Sequence, residues 1–322
     1  MTFAVISILV GFGLLAWSAD KFVDGSASVS SHAGVPPLII GMVILGFGTS
    51  APEIIISAIA ALDNKSDLAL GNALGSNIFN TSLILGIAAI FSPINITSRL
   101  VRREFPLLLG ITLLLGVMLL DEAVSSTDAL VLLISFVALM AWTITNARKS
   151  RHDSMQSGFK EEITEQKYSL KGGLIWLFVG LVLMIVSSRT VVWGSVSIAQ
   201  KLGLSDLIIG LTVVALGTSL PELAASIAAT RKGEDDIALG NLVGSNMFNI
   251  LAVVGIAGII SPMNKISADV LRRDYPMVLG LTIALLVMTA GYKKNRVITR
   301  YEGLVLVLAC IIYLTYLVHS VI

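Results

Sequence analysis

Charge is scarce in this sequence. Asp, Glu, Lys and Arg make up 13% of its 322 residues, against about 25% in a soluble domain, and so thin a polar coat excludes a water-solvated globule. Cysteine is all but missing: Cys310 stands alone inside the last apolar run, so no internal disulfide can form and cysteine usage marks no redox compartment. Histidine is nearly as rare, with His32, His152 and His319 far apart and forming no cluster. No HExxH, nucleophile elbow or P-loop is present, which leaves neither an intramembrane protease nor an ATP-driven pump with support. The chain is not expected to be an enzyme, and no cofactor is expected. Its formal net charge of +1 points to no partner class, and neither nucleic acid nor an obligatory protein partner is implied.

What abounds is apolar length. Hydrophobic residues account for 55% of the chain, and mean hydropathy is +0.89. A helix needs about 20 apolar residues to cross the hydrocarbon. Runs of roughly that size fill almost the whole sequence, at 2–19, 36–61, 68–90, 106–120, 129–147, 172–197, 205–230, 236–260, 276–290 and 301–320. The predicted fold class is all-α: a multi-pass membrane protein of ten transmembrane helices in membrane lipid. The first run has no basic residue before it and passes into Asp20, Lys21 and Asp24 without a small-residue cleavage site, so it reads as a retained helix and not as a signal peptide. If the spans alternate across the bilayer, the connections on the side of the N-terminus carry five basic residues and those on the other side sixteen. Cytoplasmic loops collect the excess of Lys and Arg. Both termini are therefore expected outside the cytoplasm, in a plasma or inner membrane. The one long polar connection, 148–171, carries six basic and four acidic residues. It is expected to be a solvated cytoplasmic linker, with a regulatory role as the minor alternative, between a first unit at 1–147 and a second at 172–322.

Those two units are copies. "GVPPLIIGMVILGFGTSAPEI" from Gly34 aligns with "GLSDLIIGLTVVALGTSLPEL" from Gly203, an offset of 169, and the same offset carries "LALGNALGSNIFN" at 68–80 onto "IALGNLVGSNMFN" at 237–249. One inserted residue later, "LVRREFPLLLG" at 100–110 matches "VLRRDYPMVLG" at 270–280. With five spans per copy, the second copy must enter the membrane from the opposite side. Inverted-topology repeats of this kind build secondary transporters, whose substrate site lies near the bilayer midplane where the copies meet.

The doubled motifs, 34–80 and 203–249, locate that site. Pro52 has no amide hydrogen to give to Gly48, and Pro221 none to give to Gly217, so two backbone carbonyls are expected to be freed; irregular backbone at membrane depth is tolerated only where it lines a cavity. Thr49 and Ser50, with Thr218 and Ser219, add hydroxyl oxygens, and hard cations take oxygen ligands. Glu53 and Glu222 add charge. A carboxylate at a helix centre costs roughly 2.5–3.5 kcal/mol to insert, and neither motif has a Lys or Arg at matching depth. The simplest missing partner is a cation. Asn72, Ser76 and Asn80 line one face of the third span and Asn241, Ser245 and Asn249 repeat the stripe in the eighth, while Asn77 and Asn246 sit about 100 degrees round. Glycines at 71, 75, 240 and 244 let helix backbones approach closely. Singly, such glycines are usually packing and such hydroxyls usually bond their own helix; doubled at one offset around a carboxylate, they favour a site. Asp121, Glu122, Asp128, Arg102, Arg103, Arg272 and Arg273 read as solvated or topology-setting charges.

The paired "GTSAPE" and "GTSLPE", each with an asparagine 27 residues after its glutamate in "GSNIFN" or "GSNMFN", resemble the two α-repeats of the sodium/calcium exchanger family, in its bacterial calcium/sodium antiporter branch. The resemblance spans essentially the whole chain. It implies ten helices in an inverted five-plus-five arrangement with Ca²⁺ and Na⁺ at the centre. Glu53 and Glu222 would be the central ligands, Thr49 and Thr218 would contribute hydroxyl and backbone oxygen, and Ser50, Ser76, Ser219 and Ser245 would flank the Na⁺ positions. Asn80 and Asn249 would line the middle, and the backbone carbonyls of Phe47 and Leu216 would join them. The first and sixth spans, long and tilted, would slide to switch access. One departure stands out: some members have an aspartate where this chain has Asn249. The implied activity is Ca²⁺ export against Na⁺ entry, with Ca²⁺/H⁺ exchange as the alternative, K⁺ involvement open, and a passive cation channel a weaker one.

Overall fold

The computed structural model describes residues 1–96, 100–156, 168–202, 215–289 and 296–321. These residues form helices α1 (Thr2–Ala33), α2 (Pro37–Thr49), α3 (Ala51–Leu62), α4 (Ser66–Phe91), α5 (Arg102–Asp121), α6 (Ser126–Gln156) and α7 (Leu170–Lys201). They continue as α8 (Ala215–Thr218), α9 (Leu220–Arg231), α10 (Asp235–Ile260), α11 (Tyr275–Thr289) and α12 (Arg300–Val321). A short antiparallel ribbon joins β1 (Ile94–Ile96) to β2 (Arg296–Ile298), with Ile94 opposite Ile298. Among the described residues, seven helices are long and apolar enough to cross a membrane, and the bent pair α2 and α3 makes an eighth. The chain is an integral membrane protein of helical class. Of the ten expected spans, the seventh is described only from residue 215, and the ninth is α11, whose Tyr275–Thr289 stretch is 15 residues long.

Two helices form the core and the rest wrap it. In α10, 83% of the apolar window is buried and in α4, 72%, against 28% in α1 and 22% in α7. That order follows from side-chain size: α4 and α10 carry the Gly, Ser and Asn stripes, which pack closely and place polar groups away from lipid.

Helices α1 and α7, each 32 residues long, run antiparallel against one another through glycines. A Cβ at Gly25 would lie 2.7 Å from Gly173 O, and one at Gly194 would lie 2.7 Å from Ala4 O. Adding 169 to Ala4 and Gly25 gives Gly173 and Gly194, so one contact is the other with its partners exchanged. Gly11 against Val191 and Gly180 against Phe22 form a second exchanged pair.

The motif 34–80 breaks its span as the proline requires. Helices α2 and α3 meet at 42° across Ser50, at φ −82° and ψ 0°. Pro52 falls in the first turn of α3, where an amide hydrogen has no helical acceptor in any case. Ser219 repeats the break at φ −88° and ψ 5°, ahead of Pro221 in α9. Residues 203–214 of the second motif lie outside the described residues.

Two of the arginines read as solvated or topology-setting charges are half-buried and have partners. The Arg273 side chain is 16% exposed and donates to Asp274 through Nε at 2.7 Å and Nη2 at 3.2 Å, while Tyr313 Oη donates to the same carboxylate at 2.8 Å. Arg103 lies 4.0 Å from the centre of the Trp142 ring. The RR(E/D) repeat sets a carboxyl at each helix start, buried at Glu104 and Asp274, and each arginine nearest it folds inward; Arg102 and Arg272 remain exposed as expected. Asp128 also does more than meet water, since its Oδ2 accepts from the N–H and hydroxyl of Ser125 at 2.9 and 2.6 Å. A hydrogen bond to a charged group contributes about 1.5–3 kcal/mol. Tyr313→Phe is therefore expected to destabilise the protein by about 1.5 kcal/mol, and thermal unfolding in detergent checks it.

Candidate cation site

The two breaks carry the acids to the core. Glu53 and Glu222 each fall in the first turn of a helix that starts at a break, where the unpaired amides at a helix start favour a negative charge. They are 1% and 2% exposed. Their carboxylates lie close enough for their charges to interact; Thr218 stands beside Glu53 and Thr49 beside Glu222. Among the described residues, neither acid is in an ion pair.

The hydroxyls and amides around them come from both halves. Thr49 Oγ1 lies 3.0 Å from Leu45 O, 3.1 Å from Asn241 Oδ1 and 3.4 Å from Ser245 Oγ. Ser50, Ser219, Ser76 and Ser245 are all buried, as are Asn80 and Asn249. The oxygens Ser50 Oγ, Ser219 Oγ, both of Glu53, Glu222 Oε2, Asn80 Oδ1 and Asn249 Oδ1 are buried without a hydrogen-bond partner. They belong to three pairs of residues, each related by the offset of 169. A buried polar atom left unsatisfied costs about 1–3 kcal/mol, so this many in repeat-related pairs are tolerated only where something else satisfies them. Carboxylate and carboxamide oxygens offer lone pairs and no protons, and the set suits a hard cation.

The Phe47 side chain is half exposed and its ring packs edge-on against Phe248 at 6.2 Å. One residue earlier, Gly46 O accepts from Ser245 Oγ at 3.4 Å. The carbonyls freed by the prolines are both taken: Gly48 O by a backbone N–H at the Ser50 break, and Gly217 O by Ser188 Oγ of α7 at 2.7 Å. Leu216 is half-buried in α8.

The family model for the sodium/calcium exchanger protein matches residues 3–145 and 172–319. This chain belongs to the sodium/calcium exchanger family. It is 40% identical to the inner membrane protein YrbG of Escherichia coli, over 88% of this chain and 87% of that one. It is 27% identical to the sodium/calcium exchanger MaX1 of Methanosarcina acetivorans, with 99% of each covered. A solved structure of the sodium-calcium exchanger NCX_Mj, soaked with zero Na⁺ and Ca²⁺, superimposes with a TM-score of 0.83 at 30% identity, over 98% of this chain and 99% of that one.

Within this exchanger-family chain two asparagines beside the polar stripes, to which the sequence assigned no role, hold those stripes in place. Asn77 and Asn246 are buried and bonded to the central asparagines. Their own doubling at offset 169 was the available signal. Ser188 had none, because its counterpart is Ala19. The halves also differ. Asn72 Nδ2 donates to Ser57 Oγ at 3.0 Å and lies 3.4 Å from Glu53 O. At the equivalent positions Asn241 Nδ2 and Ser226 Oγ have no partner, and the Asn241 carboxamide instead accepts from Thr49.

Proposed function

We propose that the protein is a secondary antiporter that exchanges Ca²⁺ for Na⁺ by alternating access, both ions using one set of oxygens between two inverted five-helix repeats. The observation that carries this reading is the set of buried, unpartnered oxygens in repeat-related pairs that include those of Glu53 and Glu222. Glu53 and Glu222 would bind whichever ion is present, with Thr49, Thr218, Ser50, Ser219, Ser76, Ser245, Asn80 and Asn249 around them and backbone carbonyls, including those of Phe47 and Leu216, completing the shells. Na⁺ and Ca²⁺ are close in size and accept flexible oxygen shells, so each displaces the other. Two bare carboxylates repel, so the centre crosses only when loaded, and that couples the flows. The antiparallel seam of α1 and α7 supports a ten-span inverted repeat in which these two helices slide together. The unequal pairing of Asn72 and Asn241 supports two halves held in different arrangements, as access from one side requires. The two units, 1–147 and 172–322, would be joined by a cytoplasmic linker, 148–171, with both termini outside the cytoplasm.

Asn249 favours a second reading of the coupling ion. With two acids at the centre, one Ca²⁺, two Na⁺ or two protons each neutralise the site, whereas three Na⁺ leave it at +1. Ca²⁺/H⁺ exchange is therefore the runner-up. Ca²⁺ uptake into everted vesicles, with Na⁺, K⁺ or pH gradients imposed one at a time, separates these. The expected result is uptake driven by Na⁺ and indifferent to imposed voltage. Uptake driven by pH alone would replace Na⁺ with H⁺, a strong voltage dependence would exclude neutral exchange, and Ca²⁺ movement without any counter-ion would point to a channel.

A further inference from the structure

Asn77 and Asn246 stand in the same place in the two halves and meet where α4 and α10 cross, with Asn77 Nδ2 donating to Asn246 O at 3.1 Å. Each also grips the central asparagine of the opposite half. Asn249 Nδ2 donates to Asn77 Oδ1 at 3.0 Å, and Asn80 Nδ2 donates to Asn246 Oδ1 at 3.1 Å. The second bond is the first with the two halves exchanged. Asn246 Nδ2 ends the chain of bonds on Thr81 Oγ1 at 2.8 Å. All four carboxamides are buried.

A carboxamide presents an oxygen on one side and an NH₂ on the other, and only the oxygen can face a cation. Turning Asn249 over would aim N–H at the centre and set its carbonyl oxygen against Asn77 Oδ1, two acceptors in contact. The observed bonds take up a hydrogen of each Nδ2, and the Oδ1 atoms of Asn80 and Asn249 are the ones left without partners. The helices support this register: both widen into a π-helical turn at these asparagines, over Phe79–Ile84 and Asn249–Val254, and such turns re-aim side chains relative to a regular helix.

We propose that Asn77 and Asn246 are positioning residues for cation binding: each accepts a hydrogen from the central asparagine of the other half and so holds that carboxamide with its oxygen toward the ion. This rests on the exchanger reading above and adds a consequence to it. A carboxylate at position 249 would oppose Asn77 Oδ1 with a second acceptor, so Asn77 would have to turn over and give up its bond to Asn246 O. The acceptor at 77 thus favours a neutral amide at 249.

A double-mutant cycle on purified full-length protein tests this, read by Ca²⁺ calorimetry and by Ca²⁺ flux in proteoliposomes. Loss of a group that orients a metal ligand typically weakens affinity about 10–100-fold. Asn77→Ala is expected to weaken Ca²⁺ binding about tenfold and to raise the half-saturating Ca²⁺ for flux likewise, leaving the maximal rate within about twofold. In an Asn249→Ala background, Asn77→Ala is expected to add nothing, because the group it orients is gone. Losses that multiply in the double variant would overturn the proposal, since a merely structural residue acts independently of Asn249. Asn246→Ala with Asn80→Ala forms the equivalent cycle in the other half. Should Asn77→Ala not fold, the cycle in the other half decides by the same criterion: an Asn246→Ala/Asn80→Ala double variant that binds no more weakly than Asn80→Ala alone supports the role, and losses that multiply refute it. Unaltered protein that binds no Ca²⁺ would sink the exchanger reading itself; binding with a multiplicative cycle would sink only this inference.

Discussion

Glu53→Gln or Glu222→Gln is expected to reduce Ca²⁺/Na⁺ exchange to background while the protein still inserts and folds. At an effective dielectric constant of about 20, a unit charge about 4 Å from another contributes about 4 kcal/mol, and a divalent ion doubles that. Even the smaller figure is close to a thousandfold in affinity. Glutamine preserves the shape of the side chain, and it removes one of two mutually repelling buried charges. The apo protein should therefore melt no lower than the unaltered one, but gain nothing from added Ca²⁺, since a ligand stabilises only the state that binds it. Flux assays and melting curves with and without Ca²⁺ check both halves of this prediction. Normal exchange in either variant would remove the carboxylates from the mechanism.

Gly240→Leu and Gly244→Leu are expected to abolish the folded protein. A Cβ at Gly240 would strike the carbonyl of Leu38, and one at Gly244 the carbonyl of Met42. These are backbone atoms of α2, which cannot swing aside as a flexible side chain does. Overpacking a core typically costs about 1–3 kcal/mol and at times more, so even Gly244→Ala should lower stability by about 2 kcal/mol, and leucine should exceed what the fold tolerates. The same seam positions chemistry, because a Cβ added at Gly46 would lie 3.0 Å from Ser245 N, and Ser245 Oγ donates to Gly46 O at 3.4 Å. Any displacement of α10 carries Ser245 away from Thr49 and Gly46. Gly280→Ala is the control: nothing described lies within 4 Å of its added Cβ. Yield of monodisperse protein in detergent and melting temperature supply the readout, and a folded, active Gly244→Leu protein would contradict the close α2–α10 approach.

Much of the candidate site was legible because function here is written twice. A glutamate inside an apolar run is a local anomaly; the same glutamate beside the same proline at a fixed offset is a pattern that packing alone does not require. Burial of both acids, of Thr49, Ser50 and Ser219, and of Asn80, Asn241 and Asn249 could therefore be read in advance, while Thr218 and Asn72 are only half-buried. What failed were readings that needed to know what lies across a helix interface. The carbonyl of Gly217 looked free because its donor, Ser188, comes from a different helix and has no repeat counterpart. Arg103 and Arg273 looked solvated because charge at a span end usually is, yet an aromatic ring and a buried acid stood within reach.

The sequence by itself determined that this is a helical membrane protein of two related halves, and it singled out two acids and their oxygen-bearing neighbours. Hydrocarbon length, proline chemistry and the cost of burying charge are local or compositional constraints, and they act on residues before any fold exists. Only the tertiary structure decided which atoms of those neighbours are available. Whether a carbonyl is free, or which end of an asparagine faces the centre, depends on the donor that a non-adjacent helix brings to it. No periodicity encodes that choice, because it is settled by packing between segments some 170 residues apart.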